Sequence, residues 1–455
     1  IRDSGTLLWD YRRPEVDHIA SLSCANRNGT IYKDQLIIAT RDAFLVSLNA
    51  LSGEVTWERQ IGDWTIGQHY SGGPQVLDGK IIAGMSGCYY INTGCWITAH
   101  DPDTGEELWR TNTVPKIGEP GGETWGDVPN EQRRGGAAWM PASYDPELEL
   151  IIIGTSVTSP APKFFLGGVE NDHLYHNSTM ALELETGEIR WYYQHMNDHW
   201  DLDHPFERLL VETEVSPDPE EVTWINPDLN PGETRKVITG IPGKTGIVYT
   251  LDRETGEFLW ATPTVEQNVV IDIDGSTGEV TENPEIIFRE TEQIVYVCRT
   301  WLGGNDWDAG AYSPLTNTMY YPLRNSCANM LTTGNFDSDT ARALTEGEGG
   351  QGGLDIYQLA ARHEITPGTD NLGTVRAVSA ETGKTEWLFE TRAGTMSLVA
   401  TGGGLIFGGD ANGRFRAFDH ETGEGLWEIN LGSPVSGYPI SFSNNGKQYL
   451  SLIHI

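Results

Sequence analysis

The sequence predicts an all-β protein, an eight-bladed β-propeller with four antiparallel strands per blade. Three observations carry that expectation. The pattern Ser/Thr-Gly-x-x-x-Trp recurs seven times with fixed internal spacing, at Gly5/Trp9, Gly53/Trp57, Gly105/Trp109, Gly187/Trp191, Gly256/Trp260, Gly383/Trp387 and Gly423/Trp427. Most copies follow an alternating apolar stretch that ends in Asp or Asn, as in Arg414-Phe415-Arg416-Ala417-Phe418-Asp419 before Thr422-Gly423 and Trp427. Self-similarity at about 40–50 residues with four short strands per unit marks a propeller blade.

Each part of the repeat has a physical role. Period-2 alternation describes half-buried antiparallel strands, and Thr-Gly supplies the tight turn between two of them. The Trp, four residues after the Gly, opens the next strand, where a large flat side chain can wedge against the neighbouring sheet. The Trp-to-Trp intervals are 48, 52, 82, 69, 127 and 40 residues. The 127-residue interval is long enough to hide one blade that lacks the motif. Tyr144-Asp145-Pro146 leading to residues 150–153, and Tyr312-Ser313-Pro314 leading to residues 319–321, look like equivalent strand approaches. Seven marked blades plus one unmarked blade make eight; a seven-bladed propeller with one large insertion is the alternative.

Composition bounds the function. The chain has 455 residues, with 65 acidic against 30 basic residues and a formal charge of −35. Such a charge repels polyphosphate and argues against nucleic acid as a partner. No apolar run approaches the roughly 18 residues of a membrane span. An apolar content of 38% argues against disorder. Residues 1–449 are expected to form a single propeller domain. Residues 450–455 read Leu-Ser-Leu-Ile-His-Ile, which matches one frame of a common transposase sequencing adaptor, so the natural chain is expected to continue past residue 449. Residue 1 is Ile with no charged or apolar leader, so an export signal is expected to have been removed or never captured. The glycine-rich residues 347–353 have no following Lys-Ser/Thr and are expected to be a flexible loop rather than a phosphate loop.

With these motifs in view, the chain resembles the quinoprotein alcohol dehydrogenases, which hold pyrroloquinoline quinone (PQQ) on the axis of an eight-bladed propeller. The resemblance covers nearly the whole chain, from Gly5 to Tyr449. Its strongest segment is His195-Met-Asn-Asp198-His199-Trp200-Asp201-Leu202-Asp203. The resemblance makes Asp201 the general base that removes the substrate hydroxyl proton as hydride moves to the quinone. Asp203 resembles the additional carboxylate of lanthanide-using relatives, so Asp201 and Asp203 are the expected ligands of a Ca²⁺ or lanthanide ion. Read without the resemblance, the two are solvated turn residues, and His195, His199, Asp201 and His204 could instead form a zinc cluster.

The resemblance also assigns cofactor contacts. Arg27, in Asn26-Arg27-x-Gly29, would reach the quinone oxygens or a carboxylate. Ser71, in Ser71-Gly-Gly-Pro74, and Ser86, in Gly84-Met-Ser86-Gly87, fall where relatives place hydroxyl donors. Trp139 would stack under the planar ring. Lys244, in Gly243-Lys244-Thr245-Gly246, would sit at the quinone carbonyls. Asp306-Trp307, in Gly303-Gly304-Asn305-Asp306-Trp307, stands where the family usually has Asn-Trp.

Among the five cysteines, Cys298 and Cys327 match a family disulfide, Cys88 and Cys95 could close a second bridge, and Cys24 is left over. Disulfides imply an oxidising compartment, hence the periplasm. The family's adjacent Cys-Cys pair is replaced by Ser21 and Leu22. The metal site departs further: Tyr89 stands at the family's Glu ligand, and Gly154-Thr155-Ser156-Val157-Thr158 lacks its Asn, with Val157 near that place. No Cys-x-x-Cys-His haem motif is present. The resemblance implies an alcohol substrate, electron transfer to a cytochrome c-type acceptor, and a homodimer as one assembly. Two rival functions remain open: a non-catalytic propeller that scaffolds envelope proteins, and a PQQ-dependent sugar or polyol dehydrogenase.

Overall fold

The computed structural model describes residues 7–14, 27–89, 94–157, 161–197, 199–333, 350–352 and 359–454. Gly5, Ser21, Leu22, Cys24, Asn26, the loop 90–93, Thr158, Asp198, most of 347–353 and Ile455 lie outside them. Of the glycine-rich stretch, Gly350–Gly352 is a short strand rather than loop. The helices among the described residues are 3-10 turns such as Trp64–Ile66. No helix there is long and apolar enough to cross a membrane.

The chain divides into two units, residues 1–205 and 206–455. The first contains three four-stranded antiparallel sheets, spanning residues 30–60, 75–112 and 143–194, each a meander in which successive strands pair. The second contains a five-stranded sheet (209–263), a hairpin (270–282), two interleaved four-stranded sheets (294–365 and 311–391), a four-stranded meander (395–430) and a closing hairpin (435–454). The closing hairpin pairs Val435–Asn444 with Lys447–His454, so residues 450–454 continue a strand.

The repeat behaves as a key between sheets. Within each described turn, the Gly N–H donates to the carbonyl four residues earlier, as from Gly105 to Asp101 at 2.7 Å. The Asp or Asn side chain at that place accepts from the next N–H groups of the turn. Each Gly holds a left-handed φ, between +70° and +76° for Gly53, Gly105, Gly187, Gly256, Gly383 and Gly423, which only glycine adopts at no steric cost. The Trp of one sheet then lies on the Gly of the next. A Cβ on Gly53, Gly105 or Gly423 would come within 2.6 Å of Trp9, Trp57 or Trp387. Gly187 under Trp109 is equally crowded. The indole N–H completes the dock on the carbonyl three residues before that Gly: Trp9 to Ala50, Trp57 to Pro102, Trp109 to Leu184 and Trp387 to His420, at 3.0–3.2 Å.

Opposite every repeat Trp in a described strand lies a small residue at a β-bulge: Ser47, Ala99, Ala181, Thr250, Ala377 and Ala417. The bulge turns the strand, and the small side chain leaves room for the indole.

The two unmarked strand approaches belong to marked sheets. Ser143–Asp145 is an edge strand of the sheet carrying Trp191, and Ala311–Ser313 is an edge strand of the sheet carrying Trp387. The 127-residue interval does contain a further four-stranded sheet, built from Ile294–Val297, Ser326–Thr332, Gly350–Gly352 and Leu359–Ile365. Trp260 bypasses it and packs at 3.1 Å from the Cβ position of Gly383.

Candidate active site

In the first unit, four of the expected cofactor residues come together. Glycines bring them there. A Cβ on Gly72 or Gly84 would overlap the Trp139 or Ala138 carbonyl, and one on Gly73 would overlap the Asn28 carbonyl. The close approach sets the backbone of residues 138–139 against Gly72 and Gly84, next to Ser71 and near Ser86, and Ala138 N–H donates to Met85 at 3.1 Å. The Ser71 and Ser86 hydroxyls are buried and lie 3.1 Å apart. Arg27 donates to the Ser71 carbonyl at 3.0 Å, and its guanidinium sits 4.5 Å above the Trp139 ring. A cation, two hydroxyls and a flat aromatic face therefore adjoin one another. His69, which the sequence did not single out, is paired through its backbone with Ser86, and burial lowers its pKa so that the ring is neutral.

The Asp201 segment follows. Asp201 holds φ +84°, a left-handed conformation that costs a non-glycine residue on the order of 1–3 kcal/mol and persists only where the surroundings impose it. Asp203 is buried, and the backbone N–H of Val157 donates to its carboxylate at 3.3 Å. The fold thus brings Asp203 to the place where the resemblance expects an Asn ligand. Val157 supplies a donor there, whereas a hard cation needs oxygen. Tyr89 likewise brings no carboxylate.

Lys163, fully buried, anchors the same segment. Its ammonium donates to the Asn171 carbonyl and the Asn197 side chain, and its backbone N–H donates to His199 at 3.1 Å. Burial and then the Lys163 ammonium push His176 down to about 3 and His173 well below the ordinary histidine range. Nothing in the sequence flagged Lys163, because a lysine in a Pro- and Phe-rich stretch reads as surface.

The zinc alternative finds no support. His195 stacks on His204 at 5.2 Å, nearly parallel, and its Nε2 bonds Thr179 at 2.7 Å. Among the described residues, no three His, Cys, Asp or Glu side chains converge on a metal position.

The second unit holds Lys244, Asp306 and Trp307. Lys244 is buried, its carbonyl accepts from Gly304 at 2.7 Å, and the Gly304 carbonyl accepts from Arg324 at 2.8 Å. Arg324 bonds Asp308 at 2.7 Å and lies 3.7 Å from Asp306. Burial raises Asp308 most; Arg324 opposes the rise, Asp306 and Glu207 add to it, and the carboxyl stands at about 7. Trp307 meets Tyr438 edge-on at 6.1 Å, and its carbonyl accepts from the Tyr438 hydroxyl at 3.1 Å. Both expected disulfides are present, Cys88–Cys95 in the first unit and Cys298–Cys327 in the second.

A family model for the PQQ glucose/ethanol/alcohol dehydrogenase β-propeller domain matches residues 4–284 and 369–450. The chain belongs to this PQQ dehydrogenase family. Asp306, Trp307 and the Cys298–Cys327 bridge fall in the break of that match. Relatives within the family span the break. The quinohemoprotein alcohol dehydrogenase ADH-IIG of Pseudomonas putida is 28% identical over 99% of this chain, which covers 62% of that relative's length. The quinoprotein ethanol dehydrogenase of Pseudomonas putida is 29% identical over 99% of this chain and 74% of its own. Among solved structures, a europium-containing methanol dehydrogenase superposes with TM-score 0.81 at 25% identity, covering 98% of this chain and 76% of its own. PQQ family membership thus coincides with the Arg27, Ser71, Ser86 and Trp139 grouping.

Proposed function

We propose that this protein oxidises an alcohol to an aldehyde or ketone with PQQ as its cofactor and passes the electrons to a cytochrome c-type acceptor. The observation that carries the proposal is the juxtaposition of Arg27, Trp139, Ser71 and Ser86 in a member of the PQQ dehydrogenase family. The donor set suits PQQ, a flat ring system bearing three carboxylates: a planar guanidinium and two hydroxyls for anionic oxygens, and an indole face for the ring. When bound, PQQ supplies an ortho-quinone that takes up two electrons from the substrate carbon.

The protein's own residues do the rest. Asp201 accepts the hydroxyl proton of the substrate at its carboxylate, and its imposed backbone conformation holds that carboxylate in one direction. Lys163 holds Asn197 and His199, which precede Asp201. Arg27 and Lys244 offer positive charge to the quinone oxygens, and Trp139 and Trp307 are the flat contacts. Asp201 and Asp203 are the protein's carboxylates for a Ca²⁺ or lanthanide ion, with the Glu and Asn places occupied by Tyr89 and Val157. The two disulfides support a periplasmic location. The propeller is proposed to have eight blades in one domain over residues 1–449, and a homodimer remains the proposed assembly.

Family membership and the site favour this reading over a scaffold, which has no use for the Trp139, Lys244 and Asp201 set. The decisive experiment is Asp201→Ala. PQQ-dependent dye reduction should vanish while PQQ binding, followed by fluorescence, persists; retained turnover removes Asp201 from the mechanism.

A further inference from the structure

The segment from Gly303 to Gly310 carries two carboxylates, and Arg324 faces both. Arg324, at the end of strand Thr318–Arg324, bonds one oxygen of Asp308 at 2.7 Å and stands 3.7 Å from Asp306. The other Asp308 oxygen is buried with no hydrogen-bond partner among the described residues. Only 2% of Asp308 is exposed, so water does not solvate a full negative charge there. Glu207, in the segment before strand Leu209–Val215, adds a third acid and accepts from Gly310 N–H, while Arg208 stands beside Glu207. A buried carboxyl with a half-share of one arginine and an unsatisfied oxygen is better accommodated when that oxygen carries a proton.

Position gives this carboxyl a use. Arg324 N–H donates to Gly304, and Gly304 N–H donates to Lys244, so the acid pair is joined through backbone hydrogen bonds to the lysine expected at the quinone carbonyls. Oxidising a hydroxyl to a carbonyl releases two electrons and two protons. The electrons leave singly to a cytochrome c-type acceptor, and the protons must leave through protein groups.

We propose that Asp308, sharing Arg324 with Asp306, is a proton-accepting residue beside the cofactor: its free oxygen takes up a proton released in turnover and returns it to solvent. This rests on the PQQ reading of Lys244, Asp306 and Trp307. Its equilibrium titration does not, and burial together with the neighbouring acids places it near neutrality, at about 7.

Difference infrared spectroscopy of the cofactor-free protein across about pH 5–9 tests the titration directly. One carboxyl C=O band should disappear near pH 7 in the native protein and be missing from Asp308→Asn. Asp306→Asn leaves Arg324 to Asp308 and removes a neighbouring acid, so the band should titrate about one pH unit lower, at a tenfold higher proton concentration. The same band in Asp308→Asn overturns the assignment. The PQQ-loaded enzyme supplies the second arm: Asp308→Asn should shift the neutral limb of the kcat profile and leave KM for the alcohol unchanged. A titrating band with an unmoved pH profile makes Asp308 structural and overturns the proton role. Failure of the native protein to bind PQQ overturns the function on which that role rests, and the infrared titration still reports on Asp308.

Discussion

The docking of one sheet on the next can be measured as a coupling between Trp387 and Gly423. Trp387 is 8% exposed, so its replacement by Ala uncovers most of an indole, roughly 180 Å² at about 25 cal/mol per Å². Together with the lost bond from the indole N–H to His420, at 3.0 Å, this destabilises by about 5 kcal/mol. Gly423→Ala has two costs. A left-handed φ of +70° penalises Ala by about 1 kcal/mol, and the new Cβ, 2.6 Å from the Trp387 ring, adds about 2 kcal/mol of overpacking. In the Trp387→Ala background the ring is gone, and Gly423→Ala should cost only the first of these. The coupling is thus about −2 kcal/mol, readable from urea unfolding of the four proteins by far-ultraviolet circular dichroism. Equal costs of Gly423→Ala in both backgrounds would refute the dock. Trp427, 49% exposed, is the internal control: its replacement by Ala should cost about half as much as that of Trp387.

Further expectations follow from the site and its supports. Arg27→Ala loses a charge-assisted contact worth about 1.5–3 kcal/mol and should weaken PQQ binding roughly 10- to 100-fold by fluorescence titration, with unchanged affinity counting against the site. Burial raises Asp42, but Arg13, bonded at 2.7 Å, and Thr40 more than offset it and hold the carboxyl below its ordinary value. A depressed carboxyl contributes stability above its unfolded pKa and loses it as pH falls, so Asp42→Asn should destabilise at pH 7 and converge on the native protein in acid; a constant difference from pH 7 down to acid denies the pairing. By loop-closure entropy, removing Cys298–Cys327, which closes 29 residues, should cost about 3.6 kcal/mol, and removing Cys88–Cys95, which closes 7, about 2.4 kcal/mol. Thermal unfolding of the Cys→Ser pairs checks that order.

Much of the architecture was legible because its signals are local. Fixed Thr-Gly-x-x-x-Trp spacing encodes the turn, the left-handed glycine and the indole wedge together, and period-2 alternation marks the strands. A further local signal is the small residue ten positions before each repeat Trp in a described strand, from Ser47 before Trp57 to Ala417 before Trp427. What the sequence could not show was which strands share a sheet across long intervals. Tyr312 reads as a strand approach to residues 319–321, and its strand does pair with Thr318–Arg324, but through it with the distant residues 373–379. The candidate site divides in the same way. Arg27, Ser71 and Ser86 sit on glycine-marked motifs, and the structure brings them together with Trp139. Lys163, Arg324 and Asp308 carry no motif, because burial and shared partners are properties of the assembled fold.

The contact of Trp260 with Gly383 has a kinetic consequence. The other described docks close loops of 36 to 78 residues, whereas this one closes 123. Loop-closure entropy makes it about 0.4–1.1 kcal/mol more costly than they are. The intervening residues pair largely among themselves, in the hairpin 270–282 and the sheet of residues 294–365. That excursion can therefore order before its ends meet, shortening the effective tether. Refolding should show the excursion's amides protected from exchange earlier than those around Trp260, and the slowest phase should belong to the closure that joins them.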